Sequence, residues 1–139
     1  MKVGEMEDSI RVKLNVKPDS KVCLFHARKD LLPQFMKGDL NLMIDWAEHD
    51  CDTILYWLQT KDDVKDIMTH LERQIKKTGR IWLVIPKKEI ARERGFSLTW
   101  DEMQQKILAN TNLVDNKTAS IGDGEYGTQF VIRKEAREE

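Results

Sequence analysis

Cysteine, proline and glycine are all scarce in this chain of 139 residues, with two, three and seven of each. The two cysteines, Cys23 and Cys51, form no CxxC and no paired ligand spacing. A disulfide-stapled scaffold and a zinc ribbon are therefore not expected. Cys23 sits in an apolar run with Val22, Leu24 and Phe25 and reads as core, while Cys51 stands at a strand start. A disulfide between them stays open only if the fold brings them together. The few prolines and glycines fall between periodic segments as punctuation, and there is no repeat or low-complexity block. No run approaches the ~18 consecutive apolar residues of a membrane span. No sign of charge dominates: 23 Lys and Arg against 24 Asp and Glu leave a net charge of −1, which argues against a globally basic nucleic-acid binder. Met1–Asp8 lacks an apolar signal segment, so a cytoplasmic location is expected. P-loop, GxSxG and HExxH motifs are all missing.

A hydrophobic fraction of 40% can fill one core, and 34% charged residues can solvate its surface. One domain over 1–139 is expected, frayed at 1–9 and 134–139. Ile10, Val12, Leu14 and Val16 alternate and predict a strand. KVCLFH (21–26) predicts a buried strand after the Lys17-Pro18-Asp19-Ser20 turn. RKDLLPQFMK (28–37) has room for one or two helical turns, if Pro33 lies in the first. LNLMI (40–44) and DTILYWL (52–58) predict two further strands. Thr60, followed by Asp62 and Asp63, predicts a capped helix start. The stripe Val64, Ile67, Met68, Leu71 and Ile75 predicts its buried face, with Gly79 as its stop. RIWLVI (80–85) predicts a buried strand ended by Pro86. The charged segment 87–98 reads as a loop with at most a helical turn. Thr99 and Glu102 form a capping-box pair before Trp100, Met103, Ile107 and Leu108. Leu113–Ile121 and Thr128–Arg133, joined through a glycine-rich turn at 122–127, predict an antiparallel hairpin.

Buried strands alternating with helices imply an α/β fold. The sheet is mainly parallel and Rossmann-like, with helices on both faces and a C-terminal antiparallel hairpin. The run KLNVKPDSKVCLFHA (13–27) resembles the opening of class I methyltransferase-like domains. DTILYWL with its helix, GRIWLVIP, a further helix and the hairpin resemble the second half of that fold. Over roughly 13–133 the chain resembles a family of small uncharacterised proteins (a domain-of-unknown-function family). That family is a methyltransferase-like fold shortened in the middle. The matching features are KLNVKPDSKV, the strand ending in Pro86-Lys87-Lys88, and Leu113-Val114-Asp115-Asn116-Lys117 before the hairpin. The resemblance implies one strand–helix unit fewer than the full fold. It also implies that Asp45 stands where the family carries an acid for ribose hydroxyls. The family's glycine-rich turn after the first strand is replaced by His26-Ala27-Arg28-Lys29-Asp30.

Open α/β sheets bind ligands beyond the carboxyl ends of their strands. Residues placed there are His26, Arg28 and Lys29, then Asp45 and Trp46, then Trp57, Gln59 and Thr60, and finally Lys87 and Lys88. Four fixed cations and a helix start at Thr60 suit an anion or nucleotide. The competing reading is that polar residues gather where strands stop. The expectation is a non-catalytic domain binding a small anionic ligand or nucleotide. The alternatives are an interaction module or homodimer without a ligand and, third, an active S-adenosylmethionine-dependent methyltransferase. No cofactor is expected, S-adenosylmethionine being the remote alternative. No catalytic residue and no metal ligand is assigned, since His49-Asp50-Cys51-Asp52 offers ligand types without the spacing. Nucleic acid is not expected either: Lys87, Lys88, Arg92 and Arg94 are accompanied by Phe96 alone as a stacking residue.

Overall fold

The computed structural model describes residues 10–122 and 124–137. Six strands form one sheet in the order β2-β1-β3-β4-β6-β5. They are β1 (Lys21–Phe25), β2 (Asn41–Ile44), β3 (Cys51–Trp57), β4 (Ile75–Pro86), β5 (Leu113–Gly122) and β6 (Glu125–Ile132). β1 pairs in parallel with β2 and β3, and β3 pairs in parallel with β4. β6 is antiparallel to both β4 and β5. This is the mainly parallel sheet with a reversed terminal hairpin that the strand order implied.

The helices are α1 (Leu32–Phe35), α2 (Val64–Glu72), α3 (Lys88–Arg94), α4 (Trp100–Asn110) and α5 (Lys134–Arg137). Alternate residues of the central strands feed two buried clusters, as the period of two in a strand requires. Ile54, Tyr56, Ile81 and Leu83 pack under Val64, Met68 and Leu71 of α2 and Met103 and Ile107 of α4. Leu55, Trp57, Trp82 and Val84 pack with Leu31 and Phe35 and with Ile10, Leu14 and Val16. Among the described residues no helix is long and apolar enough to cross a membrane.

Several local expectations need correction. Residues 10–13 are helical, not a strand. Leu14 N–H donates to the Ile10 carbonyl at 3.0 Å and Val16 N–H to the Arg11 carbonyl at 2.9 Å. Ile10 and Leu14 lie on one face at a spacing of four, while Val12 is 76% exposed. The Trp82 indole donates to the Leu14 carbonyl at 3.1 Å, a bond a buried N–H needs. Helix α2 starts at Val64 with Asp63 as its cap, its carboxylate accepting from Asp66 N–H. Thr60 lies in the preceding turn. The helix ends before Ile75, which joins β4 opposite Cys51. Gly79 is therefore a strand residue. A Cβ there would stand 2.8 Å from the Cys51 carbonyl oxygen. The charged segment after Pro86 contains helix α3, and the first part of the tail expected to fray forms α5. Residues 1–9, also expected to fray, lie outside the described residues.

Two predictions follow from this packing. The Gly79→Ala variant should lose about 1–3 kcal/mol, the usual penalty of overpacking, read as a lower urea midpoint at unchanged slope. The second concerns Arg11, which is buried and grips both oxygens of Asp39 at 3.0 and 2.7 Å, holding that carboxyl below its ordinary range. A carboxyl held low in the folded state stabilises above its unfolded pKa, and the gain is lost as pH falls through the folded value. Asp39→Asn should therefore melt lower than the parent near neutral pH and converge with it in strong acid. A gap in thermal scans that ignores pH would reject the pairing.

Candidate functional site

The carboxyl ends of β1, β2 and β3 meet at one rim. β1 leaves the sheet at His26, which takes a left-handed turn with φ of 59°. Its backbone N–H donates to Asp45 Oδ1 at 2.9 Å. Asp45 closes β2 with φ of 63°, and its own N–H donates to the Leu24 carbonyl at 2.7 Å. Asp45 Oδ2 takes no partner among the described residues. The His26 ring stands edge-on to Tyr56 with centroids 5.5 Å apart. Tyr56 donates its hydroxyl to Asp62 Oδ2 at 2.9 Å, and the same oxygen accepts Gln59 N–H at 2.9 Å. Burial, reinforced by Asp62, pushes the Tyr56 hydroxyl well above its ordinary range, so it stays a donor.

A cavity of about 220 Å³ opens beside this rim. His26 and Arg28 of the first loop, Trp57 to Thr60 after β3, Arg94 and Phe96, and Glu125 of β6 form its wall. Glu125 is nearly enclosed, its side chain 8% exposed. Arg28 Nη1 donates to its Oε1 at 3.0 Å, and Arg94 Nη1 lies 3.8 Å from Oε2. The remaining face of Arg28 clasps Asp30 at 2.9 and 3.1 Å. The Glu125 hydrogen bond outweighs burial and raises the guanidinium further. Gly122 permits this reach, since a Cβ there would stand 3.1 Å from Arg28 Nη1. Trp57 is 3% exposed, and its Nε1–H has no partner among the described residues. A buried donor left unpaired is uncommon and calls for an acceptor.

A second cavity, of about 520 Å³, lies between α3, α4 and the ends of β4 and β6. Its wall is largely apolar and aromatic, with Pro86, Phe96, Trp100, Met103 and Tyr126. Lys88 and Arg92 are its cations. Burial, then the nearby Asp101, pushes the Tyr126 hydroxyl up. Phe96 lines both cavities.

The structure thus brings five of the residues proposed from sequence, His26, Arg28, Trp57, Gln59 and Thr60, to one cavity, with Asp45 hydrogen-bonded to its edge. Lys88 lines the other cavity. Lys29 and Lys87 are exposed and line neither, and Trp46 is 53% exposed outside both. Thr60 supplies no helix N-terminus, because α2 is capped by Asp63. Glu125, Arg94 and Phe96 also line this cavity and were not placed there from the sequence. Glu125 is the first residue of β6, and its partner Arg28 is 97 residues away, a pairing no local pattern signals.

No protein-family model and no curated protein matches the chain. Solved structures do match. The N-methyltransferase NodS from Bradyrhizobium japonicum superposes with a TM-score of 0.62 at 10% identity, over 91% of this chain and 94% of that one. A TehB-like SAM-dependent methyltransferase from Corynebacterium glutamicum gives 0.57 at 10% identity, over 91% and 87%. The fibrillarin pre-rRNA processing protein of Methanococcus jannaschii gives 0.57 at 12% identity, over 84% and 67%. The fold is class I methyltransferase-like, in a chain of 139 residues. The expectation of no cofactor is corrected by these neighbours, since the chain shares its fold with a SAM-dependent methyltransferase.

The residues present fit the polar groups of that molecule. Asp45, exposed beside the cavity with Oδ1 on the His26 N–H, can accept from hydroxyls, the unpaired Trp57 N–H calls for an acceptor, and Arg28 and Arg94 suit a carboxylate. The volume fits only part of it, since ligand cavities usually measure about 300–1,000 Å³. The Arg28–Glu125 bridge forms part of the cavity wall. Arg28→Ala should destabilise the protein by about 1–3 kcal/mol, because a nearly buried carboxylate loses its short charged donor. In the Arg28→Ala background, Glu125→Gln should recover part of that loss in a urea titration. An unchanged midpoint in the single variant would show the bridge to be idle.

Proposed function

We propose that this chain binds S-adenosylmethionine, or a nucleoside ligand of the same chemistry, at the carboxyl ends of β1, β2 and β3. The observation that carries the reading is Trp57, a buried donor without a partner in the wall of a cavity flanked by two arginines. Asp45 supports it, with one carboxylate oxygen fixing the His26 turn and the other without a partner among the described residues. Its place at the end of the second strand is the one the resemblance assigns to a ribose-binding acid. The arginines would hold the ligand carboxylate, and Phe96 would shield its apolar edge. Bound S-adenosylmethionine supplies a methyl group activated by its sulfonium.

A second reading, methyl transfer itself, draws support from the adjoining cavity. Since Phe96 lines both cavities, two ligands can lie next to each other, the acceptor among Trp100, Met103 and Tyr126. In this reading the chain's own residues orient the two ligands and exclude water, and no side chain is assigned a proton transfer.

Calorimetric titration with S-adenosylmethionine and S-adenosylhomocysteine tests the first reading. Binding is expected for both. Trp57→Phe should weaken it by up to about tenfold, the worth of one hydrogen bond, while the ring still packs. Asp45→Ala should weaken it at least as much. No heat and no ligand-induced rise in melting temperature at millimolar ligand would reject the reading. Release of S-adenosylhomocysteine across a panel of acceptors then separates transfer from binding alone.

A further inference from the structure

The two cysteines that seemed unconnected in the sequence meet in the fold. Cys23 lies in β1, and Cys51 is the first residue of β3, the strand beside it. Both are fully buried, and their sulfurs are 2.7 Å apart. A disulfide needs about 2.05 Å between sulfurs, so closing the bond asks for a shift of well under 1 Å. Glu48 places its carbonyl oxygen 3.0 Å from the Cys51 sulfur. Residues 45–50 join β2 to β3 across β1, and Cys51 is where that crossover ends.

We propose that Cys23 and Cys51 form a reversible intramolecular disulfide that fastens the end of the 45–50 crossover to β1. Glutathione disulfide serves as oxidant. The Cys51 thiolate attacks one of its sulfurs, and a glutathione thiolate leaves. The Cys23 thiolate then attacks the Cys51 sulfur of the mixed disulfide and expels the glutathione thiolate bound there. The protein gives up two electrons and two protons, and one glutathione disulfide becomes two glutathione thiols. Attack in the reverse order, Cys23 first, gives the same products, since either sulfur can be the donor across the 2.7 Å contact. Cys51 stands at the amino end of β3 and Cys23 in the middle of β1, away from the strand ends that border the candidate ligand cavity, so the role of the pair is to hold the crossover and not to react with a ligand.

Because both sulfurs are buried, the test is made at equilibrium. The full chain is refolded in glutathione buffers of graded ratio, trapped with an alkylating agent and weighed by mass spectrometry. The same titration in urea gives the value for the unfolded chain. The folded protein should favour the disulfide at least about tenfold over the unfolded one, since native proximity replaces loop closure. Peptide mapping should join the Cys23 and Cys51 peptides, and the oxidised form should melt higher. The Cys51→Ser variant should show no monomeric disulfide at any ratio. Equal or weaker preference in the folded protein, or a disulfide only between two chains, would overturn the proposal.

Discussion

Six residues, 45–50, carry the chain from the carboxyl end of β2 back to the amino end of β3, and β1 lies between those strands. A parallel crossover normally takes a dozen or more residues and a helix. Six extended residues reach about 20 Å, little more than the rise of the five-residue strand they pass. The segment has slack only at its ends. Asp45 and Asp50, which bracket it, both turn through the left-handed region, with φ of 63° and 65°. Aspartate tolerates that region better than most residues because its carboxylate can bond locally. Lys21 Nζ pins the middle by reaching Glu48 Oε2 and the His49 carbonyl at 3.3 Å each. Asp52 pins the far end, accepting Lys21 N–H and pairing with Lys76, each at 2.7 Å.

The near end of that tight crossover sets the candidate site. Since Asp45 must turn sharply, its carboxylate faces the first loop and takes the His26 N–H. His26 then directs the loop toward the hairpin, where Arg28 finds Glu125. Three segments far apart in sequence are thus joined by two polar contacts. The cavity they enclose is small and arginine-flanked, and Glu125 adds a buried counter-charge to the two arginines.

Much of the fold was legible because the central strands are continuous apolar runs, as strands covered on both faces must be. The α4 cap was legible because Thr99 and Glu102 satisfy each other reciprocally, a local event. Residues 10–16 misled because Ile10 and Leu14 fit an alternating and a four-residue spacing equally well. The Trp82 indole decided the matter from 68 residues away. At α2, Thr60 and Asp63 are both capping residues. Asp62 settles the turn before it, its carboxylate already taken by Tyr56 and Gln59. Ile75 continues the helical stripe, yet it pairs with Cys51 in the sheet. The cavity wall was legible where it depends on strand ends, at His26, Arg28, Trp57, Gln59 and Thr60. The counter-charge Glu125 and its second arginine were hidden, since their meaning lies in long-range pairing.

The missing glycine turn separates two roles that glycine usually fills together. One is conformational, and His26 fills it: its φ of 59° gives the left-handed turn that glycine adopts without strain. Edge-on contact with Tyr56 and the Asp45 hydrogen bond hold it there. The other role is spatial, the bare backbone against which a ligand can lie. Here side chains fill that space, with Arg28 stretched across to Glu125. The altered loop therefore preserves the path of the chain and changes the room beside it.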